Sequence, residues 1–497
     1  MNYKSTRNSS LQVTAAQAIA QGISAEGGLF VPETLPEITQ DDLRMLADKS
    51  YVERAKFVLG KFLTDFTEEE LANCVESAYT ADKFGSDDIA QLAHLYDGTY
   101  MLELWHGPTC AFKDMALQLL PHLLTVSAGK TAQGKEMVIL VATSGDTGKA
   151  ALEGFKDVPG TKILVFYPED GVSNMQKRQM TTQEGKNVGV CAIKGNFDDA
   201  QNGVKAIFTS PEMAEKLAEK NRMFSSANSI NWGRLVPQIV YYISAYCELV
   251  KAGEIQCGDP INVVVPTGNF GNILAAYYAK GMGLPVKTFI CASNANKVLT
   301  DFINTGTYDK NRAFYTTVSP SMDILISSNL ERLLYALAGE DDKQIADWFS
   351  QLKTQGTYTV SEDVKQKLQE EFVGGYCDDC ATKATIKAVF DKYSYLCDTH
   401  TAVAVKVYED YKEKTGDTTK ALIASTASPY KFTGAVLEAL CGEVPQMDDF
   451  AQVQKLHEMS GLPIPTALAE LKNKSVRFAG CIEAGQMPET VLSLLGE

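Results

Sequence analysis

Positive charge is scarce in this chain of 497 residues: 46 Lys and Arg stand against 62 Asp and Glu, a formal net charge of −16. Nucleic acid rewards surface Lys and Arg, so it is disfavoured as a partner, and an anionic substrate gains no long-range steering. A phosphate or carboxylate site in such a chain has to be built locally, from helix N-termini, backbone N–H groups and a few placed cations. Long apolar runs are missing too. None approaches the ~20 residues that span a bilayer. The polar start, Met1 to Arg7, leads into no apolar stretch of the kind a secretory signal carries, so a cytosolic protein with no membrane partner is expected. The eleven cysteines are an odd number, which in that setting speaks against a disulfide framework. Internal repeats and low-complexity stretches are absent. The remaining composition, 45 % hydrophobic and 22 % charged, is that of a globular protein long enough for two or three domains.

Up to about residue 85 the pattern is helix-rich between polar turns, with apolar helical spacing over 13–20 and 68–79 and a turn at Gly27-Gly28 leading into a short extended piece. From Tyr100 onward, strands alternate with helices. Strands are predicted at 100–105, 136–142, 161–167, 188–193, 222–226, 261–265, 286–292 and 420–424. Helices are predicted from 149, over 198–220, 234–252 and 273–282, and through the charged stretch 340–372. Buried β-rich runs alternating with helices predict an α/β fold with parallel sheets covered on both faces.

Five segments carry candidate chemistry. In His106-Gly107-Pro108-Thr109-Cys110-Ala111-Phe112-Lys113-Asp114 the Gly-Pro turn precedes a helix that places Lys113 in its first turn, beside apolar Phe112 and Met115. Burial and the positive end of a helix dipole both disfavour an ammonium, which is what a Schiff-base lysine requires. On this segment alone a snorkelling surface lysine is the competing reading. Ser144-Gly145-Asp146-Thr147-Gly148 follows an apolar strand and opens a helix, an anion cradle suited to a carboxylate. It is not a nucleotide P-loop, because Ala150 stands where the magnesium-binding hydroxyl belongs and Thr143 where the first glycine belongs. Gly268-Asn269-Phe270-Gly271-Asn272 is again strand, loop, helix, with two glycines three apart able to close backbone N–H groups round a phosphate, and without the spacing of a dinucleotide site. Asn228, Ser229 and Arg234 gather donors ahead of a further helix, Arg234 offering a bidentate phosphate contact; a helix cap with a structural ion pair is the alternative. Finally, Ser425-Thr426-Ala427-Ser428 ends the last apolar strand and either terminates it or offers a hydroxyl to a ring edge.

Cys377-Asp378-Asp379-Cys380 followed by Cys397 and His400 has the outline of a four-ligand zinc site. Acidic residues crowd both pairs and no Gly-rich knuckle accompanies them, so no metal is expected; unlinked thiols and a histidine with another task are the favoured reading.

Taken together and in this order, these residues resemble the threonine synthases, specifically the longer branch of enteric bacteria and fungi. The likeness begins at Tyr3, Ser5-Thr6-Arg7 and Glu26 to Pro32 and runs through all the loops above to His400-Thr401-Ala402-Val403 and Ser425-Thr426-Ala427. Cys110 departs from it where an aliphatic residue is usual, and Ser428 where histidine is frequent; His400 falls in a recurring family segment. The resemblance implies a pyridoxal-phosphate enzyme of fold type II, like the β subunit of tryptophan synthase, with an added helical N-terminal domain (1–95) ahead of a two-part catalytic region (96–497), whose smaller α/β subdomain spans about 115–245. By the same resemblance, Lys113 bears the cofactor as a Schiff base and Gly268, Asn269, Phe270, Gly271 and Asn272 hold its phosphate, while Thr426 faces the ring nitrogen. The substrate carboxylate falls to Ser144, Gly145, Asp146 and Thr147, and the substrate phosphate to Asn228, Ser229 and Arg234. The implied reaction converts O-phospho-L-homoserine and water to L-threonine and phosphate, in a monomer or homodimer. A phospho-lyase releasing 2-oxobutyrate shares the first steps; a non-catalytic binding protein or a zinc-stabilised scaffold belongs to a different class, and intact Lys113 with both anion loops speaks against the former.

Overall fold

The computed structural model describes all residues except Gln133, Ser144, Gly171, Pro445 and Glu497, and the side chains of Phe197 and Asp198. Two parallel sheets organise it. The larger has six strands in the order Phe372–Tyr376, Val286–Ser293, Ile261–Pro266, Ala421–Ser425, Thr99–Glu103 and Gln91–Tyr96. All its pairings are parallel except the last, which is an antiparallel edge. The smaller has five strands, all parallel, in the order Cys481–Glu483, Val188–Lys194, Thr161–Pro168, Glu136–Ala142 and Arg222–Ser225. Their central strands are buried along almost every residue, as strands covered on both faces must be. The α/β reading and most of its strands therefore stand, with Glu136–Ala142 matching the expected limits.

The N-terminal region is less purely helical than expected. A three-stranded antiparallel sheet, ordered Asn8–Val13, Tyr3–Ser5, Phe30–Pro32, precedes the helices Gln40–Ala47, Tyr51–Phe62 and Glu68–Ala78. Each helix starts at a hydroxyl whose oxygen accepts an N–H three residues on, with an acidic side chain returning the contact: Thr39 with Asp42, Ser50 with Glu53 and Thr67 with Glu70. Gln40–Ala47 and Tyr51–Phe62 pack against Trp232–Lys251, a helix of 20 residues that is apolar on nearly all sides and buried along most of its length. Fully burying side chains such as Trp232, Tyr241 and Leu235 contributes roughly 1.5–3 kcal/mol apiece.

Two helices expected as continuous are divided. The stretch 198–220 breaks at Ser210, which caps a second helix, Pro211–Glu219, whose first position suits proline. The stretch 340–372 becomes Asp342–Thr354 and Glu362–Glu371, separated by the short strand Thr357–Thr359 that pairs with Thr307–Asp309. Among the described residues no helix is long and apolar enough to cross a membrane.

The helix Asp146–Phe155 lies hard against the segment that follows Lys113. A Cβ on Gly154 would sit 1.9 Å from the Leu117 carbonyl oxygen, so only glycine allows this approach. Gly154→Ala should lower the unfolding free energy by about 1–3 kcal/mol in chemical denaturation. Gly129→Ala, in a helix with open space around it, should be neutral or stabilising by up to about 1 kcal/mol.

Candidate active site

The segment 106–114 closes on itself before it presents Lys113. The Asp114 carboxylate accepts from the Thr109 N–H at 2.8 Å through one oxygen and from the Thr109 hydroxyl at 2.6 Å through the other. Gly107 passes so close that a Cβ there would lie 2.6 Å from the Asp114 side chain. Burial raises the Asp114 pKa to about 6 in spite of these bonds. The turn is pinned on its other side by the Phe112 N–H, which donates to the Thr426 carbonyl at 2.8 Å, and by the Ser428 N–H, which donates to the Cys110 carbonyl at 3.1 Å. Cys110 itself is buried with a left-handed backbone (φ 60°).

Lys113 caps a helix of only four residues, Asp114–Leu117. So short a helix supplies little dipole, contrary to the expectation from the sequence. Burial is the leading cause that brings the Lys113 pKa down to about 8, assisted by the cations Lys431 and Arg234 and opposed by Asp146 and Asp114. The ammonium lies 3.8 Å from Asp146 Oδ2.

Asp146 is the hub. It opens the helix Asp146–Phe155 beside the five-stranded sheet, after Gly145 in a conformation (φ 138°) that L side chains avoid. Lys431 Nζ donates to its Oδ1 at 2.7 Å, Gln176 Nε2 donates to the same oxygen at 3.0 Å, and the Ser321 hydroxyl reaches Oδ2 at 3.4 Å. Burial alone would raise its pKa, but Lys431 and Lys113 hold it well below the usual carboxylate range. Thr143 closes the preceding turn, its hydroxyl accepting the N–H groups of Gly145 and Gly148 at 3.0 and 2.9 Å. Thr147 is half-buried, and Ser144 lies outside the described residues.

At the end of Ile261–Pro266 in the six-stranded sheet, Gly268–Asn272 turns into the helix Gly271–Met282, with Phe270 left-handed (φ 64°). The loop is held from outside by Ser327, whose hydroxyl donates to the Gly268 carbonyl at 2.7 Å, and by Asn329, whose amide donates to the Asn269 carbonyl. Asn269 is exposed and Asn272 buried, with Tyr241 and Tyr242 donating to its side-chain oxygen. Arg234 is buried one turn into the Trp232–Lys251 helix and spends one N–H on the Ala227 carbonyl; burial lowers its pKa to about 10. Thr426 is buried at the end of Ala421–Ser425.

Lys113, Asp146 and Arg234 thus share one charge cluster, with Thr426 beside the Lys113 turn. Asn228 and Ser229 do not join it by any hydrogen bond among the described residues; Asn228 is exposed. The zinc outline disperses. Cys380 is exposed, Cys377 faces Thr382, and His400 uses Nδ1 on Asp398 at 2.7 Å while Nε2 accepts the Ser321 N–H at 3.1 Å. Among the described residues no group of three or more His, Cys, Asp or Glu is arranged to hold a metal ion.

Family models for "Threonine synthase N terminus", "Pyridoxal-phosphate dependent enzyme" and "Threonine synthase, C-terminal" match residues 2–79, 90–426 and 401–481. A threonine synthase of Pseudomonas aeruginosa is 38 % identical, the match covering 90 % of this chain and 92 % of the relative. This chain belongs to the threonine synthase family. The crystal structure of the pyridoxal-phosphate-bound threonine synthase of Brucella melitensis superposes with a TM-score of 0.88 at 37 % identity, over 99 % of both chains. Human threonine synthase-like 1 is 40 % identical over 90 % of this chain, which spans only 61 % of that longer protein's length.

The residues present suit the cofactor of this family. Arg234 Nε and Asn272 Nδ2 are buried donors with no hydrogen-bond partner among the described residues, an expensive state that an anionic ligand relieves. A Cβ at Gly268 would lie 2.7 Å from the Ser321 carbonyl oxygen, so glycine keeps a slot there.

Lys431, Gln176, Ser321 and the tyrosine pair were not anticipated. Lys431 left one faint sequence signal: a lone cation in Ser428-Pro429-Tyr430-Lys431-Phe432, five residues past Thr426, where an apolar strand ends. A cavity of about 770 Å³ lies nearby, its walls including Cys110 and Ser428 but neither Lys113 nor the Gly268–Asn272 loop. Several polar groups facing it are paired with one another, Glu103 with His106 and Tyr395, Lys149 with Glu153 and Gln183.

In cofactor-free protein, acetylation of Lys113 by acetic anhydride, followed by mass spectrometry, should have a midpoint near pH 8. A midpoint at the ordinary lysine value would show that burial does not act on this amine.

Proposed function

We propose that the protein converts O-phospho-L-homoserine and water to L-threonine and phosphate. The observation that carries this reading is the buried cluster of Lys113, Lys431 and Arg234 around Asp146, in a chain otherwise rich in negative charge. Cations left in excess away from water favour an anion, and a doubly anionic phosphate ester answers that need. Family membership narrows the choice of ester.

Pyridoxal phosphate, bound covalently at Lys113, supplies an electron sink for charge developing on the substrate carbons. The Gly268–Asn272 loop with Asn272 would hold its phosphate, and Thr426 would offer the ring nitrogen a neutral hydroxyl. Lys113, as a free amine, would accept the proton from Cα and serve again at Cβ; a pKa of about 8 keeps a useful fraction of free amine near neutrality. Arg234, helped by Asn228 and Ser229 at the head of its helix, would bind the substrate phosphate and stabilise it as it leaves Cγ. Backbone N–H groups at the start of Asp146–Phe155, with Ser144 and Thr147, would receive the substrate carboxylate. We place the two halves of the catalytic region, 96–497, at the two sheets, the smaller centred on 115–245 behind the N-terminal 1–95, in a cytosolic monomer or homodimer.

Incubation with O-phospho-L-homoserine should release phosphate and L-threonine in equal amounts. Phosphate matched by 2-oxobutyrate would make the protein a lyase on the same scaffold, and neither product would sink the substrate assignment. Lys113→Ala should abolish turnover and leave the circular dichroism of the fold unchanged.

A further inference from the structure

Lys431 sits in the short turn Pro429–Lys431 with none of its side chain exposed. Its ammonium donates to Asp146 Oδ1 at 2.7 Å and to the Thr109 carbonyl at 3.0 Å. Here one ammonium joins three segments that also touch in pairs, at Lys113 with Asp146, Phe112 with Thr426 and Ser428 with Cys110. Asp146 heads a helix on the five-stranded sheet, Thr109 belongs to the turn that presents Lys113, and Lys431 follows Ala421–Ser425 of the six-stranded sheet. Gln176 and Ser321 also bond Asp146, but among the described residues neither bonds the Thr109 turn. A buried ammonium persists only where acceptors compensate its desolvation, and both acceptors here belong to the segments flanking Lys113.

We propose that Lys431 is a positioning residue: it clamps Asp146 and the Thr109 carbonyl in one arrangement across the two sheets, fixing the distance and charge that Lys113 experiences. This rests on the reading of Lys113 as the reactive amine. The groups facing Lys113 are Asp146, Lys431, Arg234 and Asp114. Without Lys431, Lys113 loses a like charge and faces Asp146 as the nearest ammonium, and both changes favour its protonated form.

The test uses cofactor-free protein and needs no turnover. In Lys431→Met the acetylation midpoint of Lys113 should rise by about one pH unit. Amide hydrogen exchange over Gly145–Gly148 and Thr109–Phe112 should quicken about tenfold, with the Glu136–Ala142 strand unchanged. Lys431→Arg, which keeps the charge, should return the midpoint toward that of the wild type. An unchanged midpoint with unchanged exchange in Lys431→Met overturns the proposal. If that variant does not fold, Lys431→Met with Asp146→Asn, which removes both buried charges, decides. A folded double variant with loosened loops supports the clamp; one with native protection, or one that also fails to fold, overturns it. Failure of the Lys113 reading would show separately, in a wild-type midpoint far from 8 or in turnover by Lys113→Ala.

Discussion

Three cations and two carboxylates are enclosed where the Lys113 turn, the Asp146 helix and the end of the Ala421–Ser425 strand converge, and the cost of keeping charge away from water governs what surrounds them. Each charge is held by something fixed. Asp114 is closed onto Thr109, Lys431 spans Asp146 and a backbone carbonyl, and Arg234 is tied to the Ala227 carbonyl. What the protein leaves unmatched is positive, and the unpartnered Arg234 Nε lies on the same cation. The pocket is therefore electrically incomplete in one direction, which selects anions without any help from the acidic surface.

The fold supplies this geometry economically. Parallel strands send their C-terminal ends one way within a sheet, so the loop after Glu136–Ala142 and the loop after Ile261–Pro266 each leave the C-terminal edge of their own sheet and run into a helix N-terminus. The buried Trp232–Lys251 helix carries Arg234 at its start and Tyr241 and Tyr242 two turns later, where they fix Asn272. The close contact of Gly154 with the Leu117 carbonyl keeps the helix of Asp146 and the segment of Lys113 from sliding apart.

Much of this was legible because it is written locally. Apolar runs mark the parallel strands, and the glycine-bearing turns after them mark the anion loops. The 106–114 motif could be read as a lysine presented by a turn, although the Thr109–Asp114 closure that explains its spacing needed coordinates. What escaped depends on partners far away in the chain. Lys431 acquires meaning only when Asp146, almost three hundred residues earlier, is set against it. The strand Phe372–Tyr376 was hidden by two glycines and by continuity with a helix, since it exists through pairing with Val286–Ser293 rather than through its own propensity. His400 was weighed as a metal ligand, whereas its ring bridges Asp398 and the Ser321 backbone.

The five-stranded sheet takes an outer strand, Cys481–Glu483, from far along the chain, beside Val188–Lys194, and the helix Met487–Leu495 packs its buried Met487 and Val491 against the same layer. During synthesis, everything from Glu136 to Ser225 emerges long before that edge exists. Through that interval the layer that carries Asp146 has an open rim with unpaired backbone N–H and C=O groups, the kind of edge that invites pairing with a stranger. Cys481–Glu483 covers part of that rim once it is made, so one late pairing replaces the seven-residue edge of Val188–Lys194 with a strand of three residues.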